Sequence, residues 1–460
     1  MKISFSSTSF FLLFSSFVFS QEMGKFNALR YNDDYSFLKN DSTDSWYKSL
    51  KYTELSDDGA IYLSTGGEIR YRYLYADNEK WGDAPKDTDG YTLSRFLLHT
   101  DLHLGKRFRT FVQLQSSMEG SRITSIPVED NPLEVQQAFI DYVPILNEKE
   151  DLTLRVGRQE LLYGSGRVIA LRDNPNHRQS FDAARLIYNN KEKKYKAEAF
   201  YSHFVGVRTG ILNDGFNKNT KLWGAYFSKY NLLKNQSIDL YYLGSWKRNA
   251  VFNDAIGKEL RHTVGTRIWK NTGNWNFDLE VFFQFGEIEH KIISAWTASI
   301  HTSYKFSQIK FQPTIGLKTE IISGDKKKGD NHIQTLNALY PNGAYFGLAA
   351  LVGPSNIMDI HPSLRLNFSP KFNAEFDYDI FWRYRHADGI YLPNSMPIYS
   401  DGDSKERKIG NQFTGSLNYT PNSYFNIRGE FTHFKAGNYL KAVGSGMDII
   451  FVGITTQLKF

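Results

Sequence analysis

Residues 371–385 read Lys-Phe-Asn-Ala-Glu-Phe-Asp-Tyr-Asp-Ile-Phe-Trp-Arg-Tyr-Arg. Phe372, Ala374, Phe376, Tyr378, Ile380, Trp382 and Tyr384 share one parity; Asn373, Glu375, Asp377, Asp379, Arg383 and Arg385 share the other, and Phe381 alone breaks the pattern. A side-chain period of two held this long is a strand with one apolar and one charged face. It outruns the ~5–6 residues usual for strands in soluble sheets. The pattern recurs in 274–286, where Trp275, Phe277, Leu279, Val281, Phe283 and Phe285 oppose Asp278, Glu280 and Gln284. It recurs again in 91–104 and 357–368.

Composition narrows what such strands build. The 460 residues average a polar hydropathy of −0.45, and no long uncharged apolar run follows the first twenty, so transmembrane helices are excluded. Aromatic residues make up 15%, too many for a disordered chain. There is no cysteine, hence no disulfide, thiolate metal site or thiol nucleophile. A net charge of +6 is small for this length and does not point to nucleic acid.

Residues 1–20, with Lys2 before a Phe/Leu/Ser-rich stretch, read as a secretory signal peptide. Residues 21–57 are expected to form an N-terminal periplasmic segment and 58–460 the main domain. Eighteen strand-like segments are expected near 60–76, 90–104, 107–119, 133–143, 151–162, 178–189, 193–205, 219–230, 236–249, 259–270, 274–286, 292–306, 308–322, 357–368, 371–386, 408–419, 423–436 and 447–460. Alternate connections are short and turn-like, as at Gly105-Lys106 and Ser369-Pro370; those between are mostly long and polar, as at 163–177, 323–356 and 387–407. This asymmetry predicts an all-β fold: a transmembrane antiparallel β-barrel of about 18 strands, with short periplasmic turns and long extracellular loops. The last strand alternates Ile450, Val452, Ile454, Thr456, Leu458 and Phe460 with its polar face, which resembles the signal read by the bacterial barrel-assembly machinery.

Many positions on the inward parity are cationic: Arg70 and Arg72 beside Glu68, Arg95, Arg155, Arg261, Arg267, Lys318 beside Glu320, Arg365, Arg383, Arg385, and Arg428 beside Glu430. Guanidinium forks bind carboxylates two bonds at a time, so a lumen rich in them suits an anionic solute. Pairing with wall carboxylates is the competing use of each one.

Leu29-Arg30-Tyr31-Asn32-Asp33-Asp34-Tyr35, Leu50-Lys51-Tyr52 and Gly66-Gly67-Glu68-Ile69-Arg70 resemble the opening of the alginate-export family of outer-membrane barrels. Gly157-Arg158-Gln159-Glu160 with Tyr163-Gly164, Arg167, Arg172, Asn176, Arg178, Phe181-Asp182 and Arg185 is similar to a second block of that family. Ser323-Gly324-Asp325, Asn337-Ala338-Leu339-Tyr340-Pro341, Asp359-Ile360-His361-Pro362 and Trp382-Arg383 resemble a third. The resemblance implies a monomeric 18-stranded barrel in the outer membrane, in contact with its lipid and lipopolysaccharide, with an arginine-rich constriction that exports a polyuronate. It carries over to Arg70, Arg72, Arg155, Arg158, Arg167, Arg172, Arg178, Asp182 and Arg185 as pore-lining candidates. Arg158 falls on the apolar parity, and Asp182 and Arg185 on opposite parities, which leaves their orientation open. The runner-up is a general porin for small anionic or sugar-acid solutes.

No covalent chemistry and no cofactor are expected. His99, Asp101 and His103 share a strand face in a spacing suited to a metal, but lumenal hydrogen bonding is the commoner use. Gly164-Ser165-Gly166-Arg167 lacks the strand–loop–helix context of a phosphate loop. Asp325-Lys326-Lys327-Lys328-Gly329-Asp330 carries too much positive charge for a calcium loop.

Overall fold

The computed structural model describes residues 26–42, 45–233 and 235–460; the signal peptide expected over residues 1–20 lies outside them. Eighteen long strands follow in chain order: β1 Ile61–Asp77, β2 Tyr91–Leu104, β3 Phe108–Gly120, β4 Asn131–Leu146, β5 Glu150–Gln159, β6 Phe181–Asn190, β7 Tyr195–Gly206, β8 Gly215–Leu233, β9 Gln236–Phe252, β10 Ala255–Lys270, β11 Trp275–Ile288, β12 Lys291–Lys305, β13 Thr314–Ile322, β14 Ile357–Ser369, β15 Phe372–Arg383, β16 Lys408–Tyr419, β17 Phe425–Ala436 and β18 Ile449–Lys459. Each pairs antiparallel with its neighbour, and β1 pairs with β18 from Glu68↔Lys459 to Asp77↔Ile450, closing the barrel. Among the described residues no helix is long and apolar enough to cross a membrane. Closure leaves no unpaired edge, which is what lets strands stand in lipid.

Alternation sorts the two faces. On β1, Ile69 and Tyr71 point outward and are exposed, whereas Glu68, Arg70 and Arg72 are buried inside. The turns obey local chemistry. Gly105 sits at φ +67° in the tight β2–β3 turn. Gly157, inside β5, lies so close to β4 that a Cβ there would meet the Ala138 carbonyl oxygen at 2.3 Å.

Several expected strands are shorter than their patterns, two of them for a reason visible in the chain's path. The segment expected over 151–162 ends at Gln159, because Glu160 and Leu161 turn into the barrel, where both are fully buried. The one expected from 308 begins at Thr314: the Phe306 amide bonds the Pro313 carbonyl, and Phe311 and Gln312 take positive φ, so the chain turns there.

The N-terminal segment does not stand apart from the barrel. Tyr31 packs edge-on against Phe111 and Phe139 of the inner wall and donates to the Glu160 carbonyl at 2.9 Å. Arg30 donates to the Gly67 and Phe460 carbonyls at 2.9 and 3.0 Å, at the foot of the β1–β18 seam.

Candidate solute pathway

Two long loops fold into the lumen. Residues 160–180, between β5 and β6, meet residues 323–356, between β13 and β14, in a short backbone ladder. Ala170 N–H bonds the Tyr340 carbonyl at 2.8 Å and Tyr340 N–H bonds the Val168 carbonyl at 2.9 Å. Tyr340 then reaches the far wall, stacking on Phe204 and meeting Phe181 edge-on. Phe346 packs against Phe381 of β15, with ring centroids 5.0 Å apart. Phe381, the one apolar residue on the charged parity of its strand, is therefore the aromatic wall contact of the second loop, beside hydrogen bonds from Gln284, Lys318 and Gln412.

Inward guanidinia of β1 and β2 grip the first loop. Arg95 donates to Glu68 Oε1 through Nε at 3.0 Å and to Asp173 Oδ1 through Nη2 at 2.7 Å. Arg70 donates to the Asp173 and Pro175 carbonyls, and Arg72 to the Asn174 carbonyl at 2.5 Å. Arg178, within the loop, pairs with Glu160 at 3.1 Å and with Asp173 at 3.5 Å. The Asp173 side chain stays 49% exposed amid these four cations. Arg72 takes no carboxylate partner of its own among the described residues, and Arg172 makes no ion pair or hydrogen bond there.

Two cavities meet at this grip. One, of about 470 Å3, opens toward the long-loop rim past Arg72, Arg122 and Arg172. The other, of about 450 Å3, lies below it between Arg70, Arg72, Asp173 and Arg428. Arg72, Asn174 and Leu348 line both. Asn174 Nδ2 donates to the Leu348 carbonyl at 3.3 Å, so a contact between the two inserted loops stands where the two cavities meet. A third cavity of about 1030 Å3 opens at the short-turn mouth, lined by Tyr31, Arg109, Asp141, Arg155, Arg185 and Glu198.

The other expected pore residues divide by location. Arg155 forks onto Asp141 with both bonds at 2.7 Å, between the rings of Tyr31 and Phe139. Arg185 pairs with Glu198, and Arg167 with Glu320 at 2.7 Å. Within the wall, Arg261 pairs with Glu259 and Arg267 with Asp278, both at 2.6 Å. Arg365 and Arg428 face the lumen with half-exposed side chains, paired with Glu375 and Glu430. Here wall pairing, rather than free cationic charge, is the commoner outcome.

Four candidates are not placed on an open pathway. Arg158 and Asp182, directly opposite on β5 and β6, lie on the outward parity and pair at 2.9 Å, with the Asp214 backbone against Arg158. Arg383 is fully buried and donates to the carbonyls of His386, Asp388, Ser404 and Glu406, which makes it a clamp on the 384–407 loop. Arg385 lies past the end of β15, its guanidinium 4.6 Å from the Tyr384 ring in a hollow at the rim.

His99, Asp101 and His103 do not form a three-ligand cluster: His103 Nε2 lies 3.2 Å from Asp101 Oδ2, but Asp101 also takes the Arg109 fork and His99 stacks apart on Phe111. A different set, His361, Asp377 and Asp379, comes together with its ligand atoms within 4.8 Å of one another. Asn174, Leu348 and Asp173 were not among the expected pore residues. They are loop residues without a parity signal, and only the inward fold of the loops brings them to the pore.

In the outer loops, Asp325 and Asp388 are buried side by side, with Asp325 N–H on Asp388 Oδ2 at 2.9 Å. Burial pushes the Asp325 carboxyl up to about 7; Asp388, Asp254 and Asp330 add to the rise and the Gln334 amide opposes it.

The family described as Alginate export matches residues 61–452. No curated protein matches the chain at a significant level. Among solved structures, Pseudomonas aeruginosa OccK2 (OpdF) in complex with glucuronate is similar at 11% identity, with a TM-score of 0.56 over 86% of this chain and 98% of its own. A BenF-like porin from Pseudomonas fluorescens Pf-5 is similar at 9% identity, with a TM-score of 0.57 over 86% and 99%. Pseudomonas aeruginosa OccD3 (OpdP) is similar at 12% identity, with a TM-score of 0.57 over 90% and 93%. At these identities the likeness concerns the fold.

Proposed function

The chain belongs to the Alginate export family and forms an outer-membrane β-barrel channel, and on that premise we propose that it passes an anionic polysaccharide of the alginate class outward through its lumen. One observation carries the reading. The half-exposed carboxylate of Asp173 sits among Arg70, Arg72, Arg95 and Arg178, in the lower of the two cavities that meet at Arg72 and Asn174. That carboxylate stands where a uronate carboxylate would pass, and guanidinium forks match it in shape and charge. Arg72 and Arg172, without carboxylate partners of their own, supply the net positive field there.

The narrow contact between Asn174 and Leu348 favours a second reading, a porin for small sugar acids, because a polymer needs the loops to part. The similar barrel of OccK2 was solved with glucuronate, a sugar acid, which is consistent with either solute.

Planar-bilayer conductance tests the anionic pathway. The channel is expected to prefer anions and Arg72→Glu to shift it toward cations; cation selectivity unchanged by that substitution would overturn the reading. Deletion of the gene separates polymer from small solute. Acidic polymer trapped in the periplasm supports export, whereas slowed growth on a sugar acid without trapped polymer supports the porin.

A further inference from the structure

We propose that His361, Asp377 and Asp379 form a binding site for one divalent first-row transition-metal ion, of the Zn2+ or Mn2+ class, on the inner wall where β14 meets β15. Strand geometry makes the site. His361 lies on the inward parity of β14, Asp377 and Asp379 on the inward parity of β15, and the register brings the three side chains together. His361 Nε2 is 3.2 Å from Asp377 Oδ1, and His361 Nδ1 is in contact with Asp379 Oδ1. Asp379 Oδ2 is held by Gln412 Nε2 at 3.2 Å, which aims Oδ1 at the imidazole.

The negative charge there exceeds the single positive charge that His361 can carry. Asp359, two residues from His361 on the same face, is 1% exposed, and neither of its carboxylate oxygens has a hydrogen-bond partner. Asp379 Oδ1, on a fully buried side chain, has the His361 imidazole as its partner. The nearest fixed cations are engaged elsewhere: Lys318 and Arg167 both bond Glu320, at 3.0 and 2.7 Å. Two carboxylates thus share one imidazole and a third stands unpartnered beside them, whereas the buried wall carboxylates of Glu68, Asp141, Glu198, Glu259 and Glu320 each have a guanidinium partner. Isolated buried carboxylates are costly, and a dication removes that cost directly. An imidazole among carboxylates favours a transition-metal ion over calcium or magnesium, which take oxygen ligands. His361 and Asp377 side chains keep 16% and 18% exposure, so the site opens to the lumen and an ion has an entry path.

The test uses untagged full-length protein folded in detergent, stripped with chelator and dialysed against ZnCl2, MnCl2 or CaCl2, with bound metal measured per chain. The expected result is one Zn2+ or Mn2+ per chain, bound more tightly than Ca2+. Affinity should fall at least about tenfold in both His361→Ala and Asp377→Asn. Bound metal unchanged in those variants, a preference for Ca2+, or no stoichiometric binding would each overturn the site. Heat-dependent gel mobility reports whether each variant folds. Independently of any variant, the electron paramagnetic resonance of Mn2+ on the parent protein should show one site per chain, displaced by Zn2+; its absence counts against the proposal. None of these readouts depends on what solute the channel carries.

Discussion

Phe381 and Phe346 pack edge to face, centroids 5.0 Å apart and planes at 75°, tying strand β15 to the loop 323–356 that crosses the lumen. Both rings are buried, and Phe381 also lies over Phe434 at 6.1 Å. A residue that interrupts a charged face thereby anchors the element that narrows the channel.

Phe381→Ala removes that seat. Loss of a buried aromatic side chain is expected to cost about 3–5 kcal/mol locally. The strands keep their own ladders, so the loop rather than the barrel loosens. Conductance should rise and grow noisy while heat-dependent gel mobility stays that of a folded barrel; Phe381→Leu should lie between the two.

Arg383 and Arg72 are both inward arginines, but they are expected to fail differently. Arg383→Lys replaces a fork that reaches four carbonyls with a point charge, so proteolysis within 386–407 should accelerate. Ion selectivity should stay near that of the parent, since the guanidinium faces carbonyls and the Tyr439 ring, 3.9 Å from its centroid.

Arg30 fastens the N-terminal segment to the barrel seam through the Gly67 and Phe460 carbonyls. Arg30→Ala should cost about 1.5–3 kcal/mol per charge-assisted bond lost. Hydrogen exchange should rise in residues 26–35 and at the β1–β18 pairing near Glu68↔Lys459, with the opposite wall unaffected.

Asp325 gives the outer loops a pH dependence. Its carboxyl is raised in the folded loop to about 7 from its ordinary value of 3.8. The folded form therefore holds a proton that the opened loop releases. Loop stability is fullest below the lower value, declines as pH rises between the two, and reaches its minimum above about 7. Hydrogen exchange of residues 323–335 should accelerate from pH 5 to pH 8 beyond its intrinsic pH trend, and Asp325→Asn should flatten that excess.

Barrel, strand number and strand facing were legible in the chain because a period of two records directly which side chains meet lipid and which meet water. The reading of Arg70, Arg72, Arg95 and Arg155 as inward follows from that parity alone, and the structure places them there. Parity put Arg158 on the apolar side and left Asp182 and Arg185 open; in the structure Arg158 and Asp182 pair on the outward face and Arg185 turns inward to Glu198.

What parity does not carry is the partner of an inward charge. Whether Arg155 faces solute or Asp141, and whether Arg383 faces the pore or loop carbonyls, depends on residues far away in sequence. The contact where the two cavities meet is made by Asn174 and Leu348, 174 residues apart on two loops without periodicity. Alternation is a local property of each strand, so the sequence alone specifies the barrel. The channel's width and charge arise where loops cross its interior, and only tertiary packing decides which loops enter and what they touch.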